Sequence, residues 1–252
     1  MNKVSIVICS FNRADFLPRA LDSVLKQTYD NFEVIIIDDG STDNTEEVAQ
    51  KYLARDERIK YFRNSANLGI ARSRNKGVVL SQGEYIAMLD SDDYWLSPEK
   101  LQKQVVFLDT NSKVGIVGTG IVLVDENDRE IKQDIYETED KNIRARILAK
   151  NQFAQSSVLF RKKAFNQAGN YDESLNVCED LALWLALGLK YEFANLAEAL
   201  VAYLIHSGGI SKSRKKEIAS TTDKIISQYK KNYPHYSRAK FKSFLRILLS
   251  LI

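Results

Sequence analysis

The chain has 252 residues, 44% of them apolar and 27% charged, with three prolines and eleven glycines. That length suits one large α/β domain, or one domain with an appendage, and the composition excludes collagenous and low-complexity classes. No apolar run reaches the roughly 18–20 residues of a bilayer span. Cys9 and Cys178 match no zinc or redox spacing. The expectation is a reduced cytoplasmic protein without a signal peptide. The net charge of +3 is uneven: residues 212–252 carry eleven Lys/Arg against two Asp/Glu, which leaves an acidic body. A basic tail on such a body points to an anionic surface, with peripheral contact on the inner face of a membrane preferred. No nucleic-acid motif accompanies the charge, so nucleic acid is not expected as a partner.

In chain order, residues 4–9 form a β-branched run that reads as a buried strand. Helical spacing over 15–27 follows, with Pro18 early, where a missing N–H costs little. Residues 32–37 are a second strand. Thr42-Asp43 opens a helix with Glu46 and Glu47 near its positive end. Strand 59–62, a helix from Asn67 or Leu68 to Leu80, strand 85–89 and helix 98–109 complete the first half. This alternation predicts right-handed βαβ units and a mostly parallel, doubly wound sheet. The second half is less regular: strand 114–124, helix 139–150, strand 156–160, helix 179–189 and strand 199–205. Two helices, about 212–232 and 235–251, are predicted in the basic tail. The single boundary falls near Ser211.

Open parallel sheets bind ligands beyond the carboxyl ends of their strands. Ser10-Phe11-Asn12-Arg13, Asp38-Asp39-Gly40-Ser41 and Asp90-Ser91-Asp92-Asp93 stand there. Two acidic clusters on one crevice repel unless a cation neutralises them. Oxygen ligands suggest Mg2+ or Mn2+. Neither a dinucleotide fingerprint nor a P-loop is present, so NAD, FAD and P-loop nucleotide binding are not expected. A metal can hold a diphosphate without a glycine cradle, and Asp90-Ser91-Asp92 is assigned that task.

Val4-Ser5-Ile6-Val7-Ile8-Cys9-Ser10-Phe11-Asn12, Ile37-Asp38-Asp39-Gly40-Ser41-Thr42-Asp43, Asn67-Leu68-Gly69-Ile70-Ala71-Arg72-Ser73-Arg74-Asn75 and Leu89-Asp90-Ser91-Asp92-Asp93 resemble the successive motifs of family 2 glycosyltransferases. The resemblance is dense over residues 1–110 and continues to about 211. It implies a GT-A fold with a C-terminal helical extension, a nucleotide-sugar donor and a D-x-D metal motif. Carried onto this chain, it puts Ser10 and Asn12 beside the nucleoside and Asp39 on a base N–H, which suits uracil and hence a UDP-sugar. Arg72 or Arg74 reaches the base or diphosphate. Asp90 contacts the ribose, and Asp92 ligates the metal. Asp38 and Asn75 read as structural. Cys178-Glu179-Asp180 resembles the family's Glu-Asp segment, which makes Asp180 the general base of an inverting, single-displacement transfer. His206, in a His-Ser-Gly-Gly loop, is assigned to the metal or the diphosphate. Trp95 is open between sugar stacking and packing, Gln155-Ser156-Ser157 border the acceptor side, and Trp184 reads as core.

Residues 1–110 are then the nucleotide-binding half, 111–211 the acceptor half and 212–252 the basic helical extension. The Q-x-x-R-W motif of processive relatives is missing, so transfer of one sugar to a glycan, lipid-linked saccharide or glycoprotein is expected. The apolar side of the last helix packs on the domain, on a second subunit of a homo-oligomer, or on lipid. The alternatives in other classes are a sugar-nucleotide nucleotidyltransferase and a catalytically silent nucleotide-sugar-binding module.

Overall fold

The computed structural model describes residues 2–206, 208–209 and 213–250. Strands β1 (Val4–Ser10), β2 (Phe32–Asp38) and β4 (Tyr85–Asp90) are the most apolar segments of the first half, and β1 and β2 are buried along their whole length. Such runs stay in place only with both sheet faces covered. Strand β3 (Ile59–Arg63) completes a parallel set in the order β3-β2-β1-β4. Ser10 pairs with Asp38, and Cys9 with Asp90, so the two acidic tips flank the end of β1.

Beyond β4 the sheet becomes mixed. Strand β8 (Leu159–Arg161) runs antiparallel to β4 and to β6 (Val114–Val124). Strand β9 (Glu192–Leu204) is parallel to β6. Two-residue β5 (Tyr94–Trp95) closes the far edge on β9, and β7 (Glu130–Asp134) forms a hairpin with β6. Parallel pairing therefore describes the first half, and the second half combines both directions. The expected strand at 156–160 is a 3-10 turn over Gln155–Ser157 followed by β8. The expected strand at 199–205 begins earlier, at Glu192.

Side-chain alternation sorts the sheet into two core layers. Ile6, Ile8, Val34, Ile36, Ala87 and Leu89 meet α1 (Leu17–Leu25), α2 (Thr45–Leu53) and α4 (Lys100–Thr110). Val7, Ile35, Ile37, Ile86 and Met88 face the other way. They meet α3 (Ile70–Leu80), α5 (Asp140–Ile147), α6 (Lys162–Ala168) and α7 (Glu179–Leu187). Trp184 is fully buried in that layer, as its spacing predicted. Trp95 is buried too and donates from Nε1 to the Ser156 carbonyl at 3.0 Å, which resolves it as packing.

The basic tail forms α8 (Lys215–Gln228) and α9 (Tyr236–Leu249). Ile225, Ile226, Tyr233 and Ala239 join the second core layer, and Tyr233 Oη donates to the Leu185 carbonyl at 2.7 Å. One side of the tail thus packs on the domain. The boundary expected at Ser211 lies outside the described residues. No described helix is long and apolar enough to cross a membrane.

Candidate active site

The site is built where β1, β2 and β4 end together. Asp38 turns inward and is fully buried. It accepts from the Ser41 N–H at 2.8 Å and from Tyr61 Oη at 2.5 Å, so it shapes the loop as expected. Gly40 adopts φ +79°, and a Cβ there would lie 2.7 Å from the Ala66 carbonyl carbon. Only glycine lets these two loops approach. Asn12, at φ +53°, ties them from β1: its N–H donates to Ser41 Oγ at 2.9 Å, and its Oδ1 accepts from the Thr42 N–H at 2.8 Å.

Asp39 is nearly buried and already well occupied. Its Oδ1 accepts from Asn64 Nδ2 at 2.8 Å and the Leu68 N–H at 2.9 Å, and its Oδ2 from the Gly69 N–H at 2.9 Å. Those bonds hold the 67–69 segment as loop, which is why α3 starts at Ile70 instead of Asn67 or Leu68. A carboxylate has about four acceptor positions, so about one, on Oδ2, remains for a base N–H. Ser10 lies alongside, its carbonyl accepting the Asp39 N–H at 2.8 Å. Its Oγ is buried without a hydrogen-bond partner in the described structure. A buried orphan hydroxyl is costly and suits a site that a ligand completes.

Arg72 and Arg74 part company. They are two residues apart on a helix and so point to different sides. Arg72 is exposed and pairs with Glu173 at 3.3 Å. Arg74 is buried, with Nη2 donating to Asp90 Oδ1 at 2.7 Å and Nη1 to Glu179 Oε1. Its guanidinium is thus committed to two carboxylates, and its Nε has no partner among the described residues. Asn75 is structural as expected, exchanging two hydrogen bonds with the Tyr171 backbone.

The acidic tip of β4 divides its labour. The Asp90 N–H donates to Ser156 Oγ at 3.0 Å, and that hydroxyl donates to Asp93 Oδ2 at 2.5 Å. Asp93 also accepts the Leu204 N–H at 3.0 Å, which links β4 to β9. Burial, with Asp92 and Asp90 nearby, pushes the Asp93 carboxyl well above the usual range. Ser91 is buried between these groups. Asp92, like Asp90, remains partly exposed, and Asp92 Oδ2 lies 3.0 Å from His206 Nε2 and 3.7 Å from Arg13 Nε. His206 is buried, and its ring lies 5.1 Å from that of Phe16. Ser207 of the same loop lies outside the described residues.

Among the described residues no group of three or more His, Cys, Asp or Glu is arranged to hold a metal. The expected site is therefore no closed protein cage. Asp92 and His206 nevertheless supply an oxygen and a nitrogen within one hydrogen-bond length, and the set suits Mn2+ with further positions left for diphosphate oxygens and water. Asp90 is held by Arg74, and Asp93 is spent inside the fold.

Asp180 opens α7 beside Glu179 and accepts from Asn151 Nδ2 at 3.0 Å. Burial and the Glu179 charge raise its carboxyl to about 6, against the pull of Arg74. A carboxylate so poised can take a proton near neutral pH. Reasoning from sequence passed over Asn151, Asp93 and the role of Arg13. Arg13 and Asp93 each left a signal, standing in the segments that follow β1 and β4, whereas Asn151 left none.

A sheet with acidic groups gathered at its strand ends and a raised carboxylate at the start of α7 has the arrangement of a nucleotide-sugar transferase scaffold of the GT-A kind. The chain belongs to glycosyl transferase family 2, whose profile matches residues 5–170, and it is a glycosyltransferase. It is 34% identical over 230 residues to WfaP of Escherichia coli, with 90% of this chain and 87% of the relative covered. That relative is a UDP-Glc:alpha-D-GlcNAc-diphosphoundecaprenol beta-1,3-glucosyltransferase. Other relatives are longer: a glycosyltransferase of Rickettsia bellii, 32% identical over 198 residues, is covered over only 28% of its length. In solved structures the fold resembles S. aureus TarS 1-349 in complex with UDP-GlcNAc, with TM-score 0.75 at 22% identity, over 97% of this chain and 72% of that one. It also resembles the mannosyltransferase PcManGT of Pyrobaculum calidifontis in complex with GDP-Man and Mn2+, with TM-score 0.72 at 14% identity, over 99% and 75%.

Proposed function

We propose that the protein moves one sugar from a UDP-linked donor to a hydroxyl of a lipid-linked saccharide or related glycan, inverting the anomeric centre, at the cytoplasmic face of a membrane. The observation that carries this reading is the shared guanidinium. Arg74 joins Asp90, on the donor strand, to Glu179, the neighbour of Asp180. Donor site and base are thereby held across one crevice. The WfaP name supports a UDP-sugar and a diphospholipid acceptor, and the UDP-GlcNAc complex of TarS supports the donor class.

Residues 1–110 are read as the donor half, 111–211 as the acceptor half and 212–252 as an extension. The nucleoside meets Ser10 Oγ, Asn12 and the remaining acceptor position of Asp39. Asp90 is oriented by Arg74 and by the Ser156 hydroxyl and meets the ribose. Arg72, held at the surface only by its exposed pair with Glu173, is the arginine suited to reach the phosphates. Asp92 and His206 would hold a Mn2+ or Mg2+ ion, which supplies charge to the departing diphosphate. Arg13 adds a fixed positive charge at the same place. Asp180 removes the proton of the acceptor hydroxyl as the new bond forms, and Asn151 keeps its carboxylate turned toward that hydroxyl.

The test is incubation with Mn2+ and a panel of nucleotide sugars, scoring donor hydrolysis and transfer to a polyprenyl-diphosphate saccharide. One UDP-sugar should be consumed, with the opposite anomeric configuration in the product by NMR. Retention of configuration, or pyrophosphate release from a nucleoside triphosphate, would overturn the reading.

A further inference from the structure

The outer side of α9 has two adjoining surfaces of different chemistry. At 100° per residue, Phe241, Phe244, Leu245, Leu248 and Leu249 share one arc of the helix. All five are exposed, Phe241 by 63% and Leu249 by 73%. The buried Ala239 and Ser243 lie on another side and face the domain. Between the two runs a row of cations four residues apart: Arg238, Lys242 and Arg246. Arg246 Nη2 donates to the Ala149 carbonyl at 2.7 Å, which fixes the row against the domain.

Arg238 and Lys242 also line a cavity of about 220 Å3 beneath α9, together with Arg146 and Lys150. Glu137 is its only carboxylate; it pairs with Arg146 at 2.9 Å, and Lys150 reaches Asp134 outside the cavity at 3.4 Å. Arg238 and Lys242 have no ion-pair partner among the described residues. A cavity with that surplus of positive charge is suited to a phosphate group. Its wall is also close to the chemistry. Lys150 and Gln152 line it, and Asn151 between them donates to Asp180.

We propose that α9 is a membrane-docking helix for bilayers of anionic phospholipid. The apolar arc enters the interface, and the Arg238–Lys242 cavity takes a lipid headgroup phosphate. Apolar burial and cationic attraction act together in such binding. An occupant that is only apolar leaves the cations unanswered, and a soluble anion leaves the arc exposed. The inference extends the proposed function by stating from which side a lipid-linked acceptor would reach Asp180. The docking itself is tested without any transfer reaction.

The experiment is flotation of the full chain with vesicles of phosphatidylcholine alone or with one-third phosphatidylglycerol. Wild type should float with the anionic vesicles at least about tenfold better, and that preference should fall as salt screens the cations. Arg238→Glu with Lys242→Glu, and separately Phe241→Ser with Leu248→Ser, should each remove about nine-tenths of the binding. Lys26→Glu with Lys51→Glu, an equal charge change just after α1 and on α2, should keep it. Donor hydrolysis with Mn2+ should stay within about twofold in every variant, which separates failed docking from a failed enzyme or a failed fold. Equal recovery with both vesicle types, or undiminished binding by the Arg238/Lys242 variant, would overturn the proposal. So would light scattering that shows a dimer dispersed by Phe241→Ser with Leu248→Ser, since a second copy would then own the arc.

Discussion

Asp90 and Glu179 are held by one guanidinium, that of Arg74, which bonds Asp90 Oδ1 at 2.7 Å and also reaches Glu179 Oε1. The contact ties α3 and the end of β4 to the start of α7. Its consequence is testable. A lysine keeps one positive charge but cannot form both bonds from a planar fork. Arg74→Lys should lower kcat about 100-fold, with a much smaller change in donor KM, because the base shifts by a fraction of an ångström. Arg74→Met leaves the buried Glu179 unpaired beside the partly exposed Asp90 and should cost about 3 kcal/mol in a denaturant titration.

The pH profile follows from Asp180. Burial and Glu179 lift its carboxyl to about 6. As the proposed base it must be ionised, so log(kcat/KM) should rise with unit slope up to about pH 6 and level off above. Asp180→Asn should remove about 100- to 10,000-fold of the rate. Stability moves the opposite way. The folded value lies above the ordinary 3.8, so the stability Asp180 contributes is full below that value and lost as pH rises through about 6. Asp180→Asn should remove that pH dependence from the unfolding curve.

Metal dependence is expected to reside in Asp92 and His206. In calorimetry, Mn2+ should strengthen UDP binding to wild type. Asp92→Asn and His206→Ala should each reduce that gain about 10- to 100-fold. UDP affinity without metal should change little. If Asp92→Asn kept the full Mn2+ effect, the assignment would be wrong.

Acid stability should depend on Glu33, a buried carboxylate far from the site. Burial pushes it up, but bonds from Lys60 Nζ, Ser5 Oγ and the Gln82 N–H outweigh that and bring it down to about 2. The folded value is below the ordinary 4.5, so the contribution is complete above 4.5 and disappears as pH falls through about 2. Glu33→Gln should cost about 3 kcal/mol at pH 7, and nothing near pH 2, in urea titrations at both values.

Gly40→Ala should both destabilise the protein and weaken UDP binding. The added Cβ meets Ala66 backbone at 2.7 Å, and φ +79° is itself strained for alanine. A loss of about 1–3 kcal/mol is expected, measured by thermal unfolding beside UDP calorimetry.

What the chain determines by itself is the first, parallel part of the sheet. The runs 4–9, 32–37 and 85–89 are apolar but for Ser5 and Glu33, and only a strand covered on both faces accommodates that pattern. Where they stop, Asp38-Asp39 and Asp90-Asp92 necessarily lie at one edge. Propensity also marked Glu179-Asp180 as a helix start. Tertiary structure decided which neighbours these groups acquire. Arg72 and Arg74 look alike in the sequence; the helix sends one to Glu173 at the surface and the other between Asp90 and Glu179. Asp93 reads as one more acid until Ser156 and the Leu204 N–H close around it. Asn151 had no local signal at all. Strand β5 is two residues long and exists only because β9 offers its edge. Local periodicity reports burial, whereas a hydrogen-bond partner far along the chain is chosen by the packing of whole layers. That is why the crevice could be foreseen and its wiring could not.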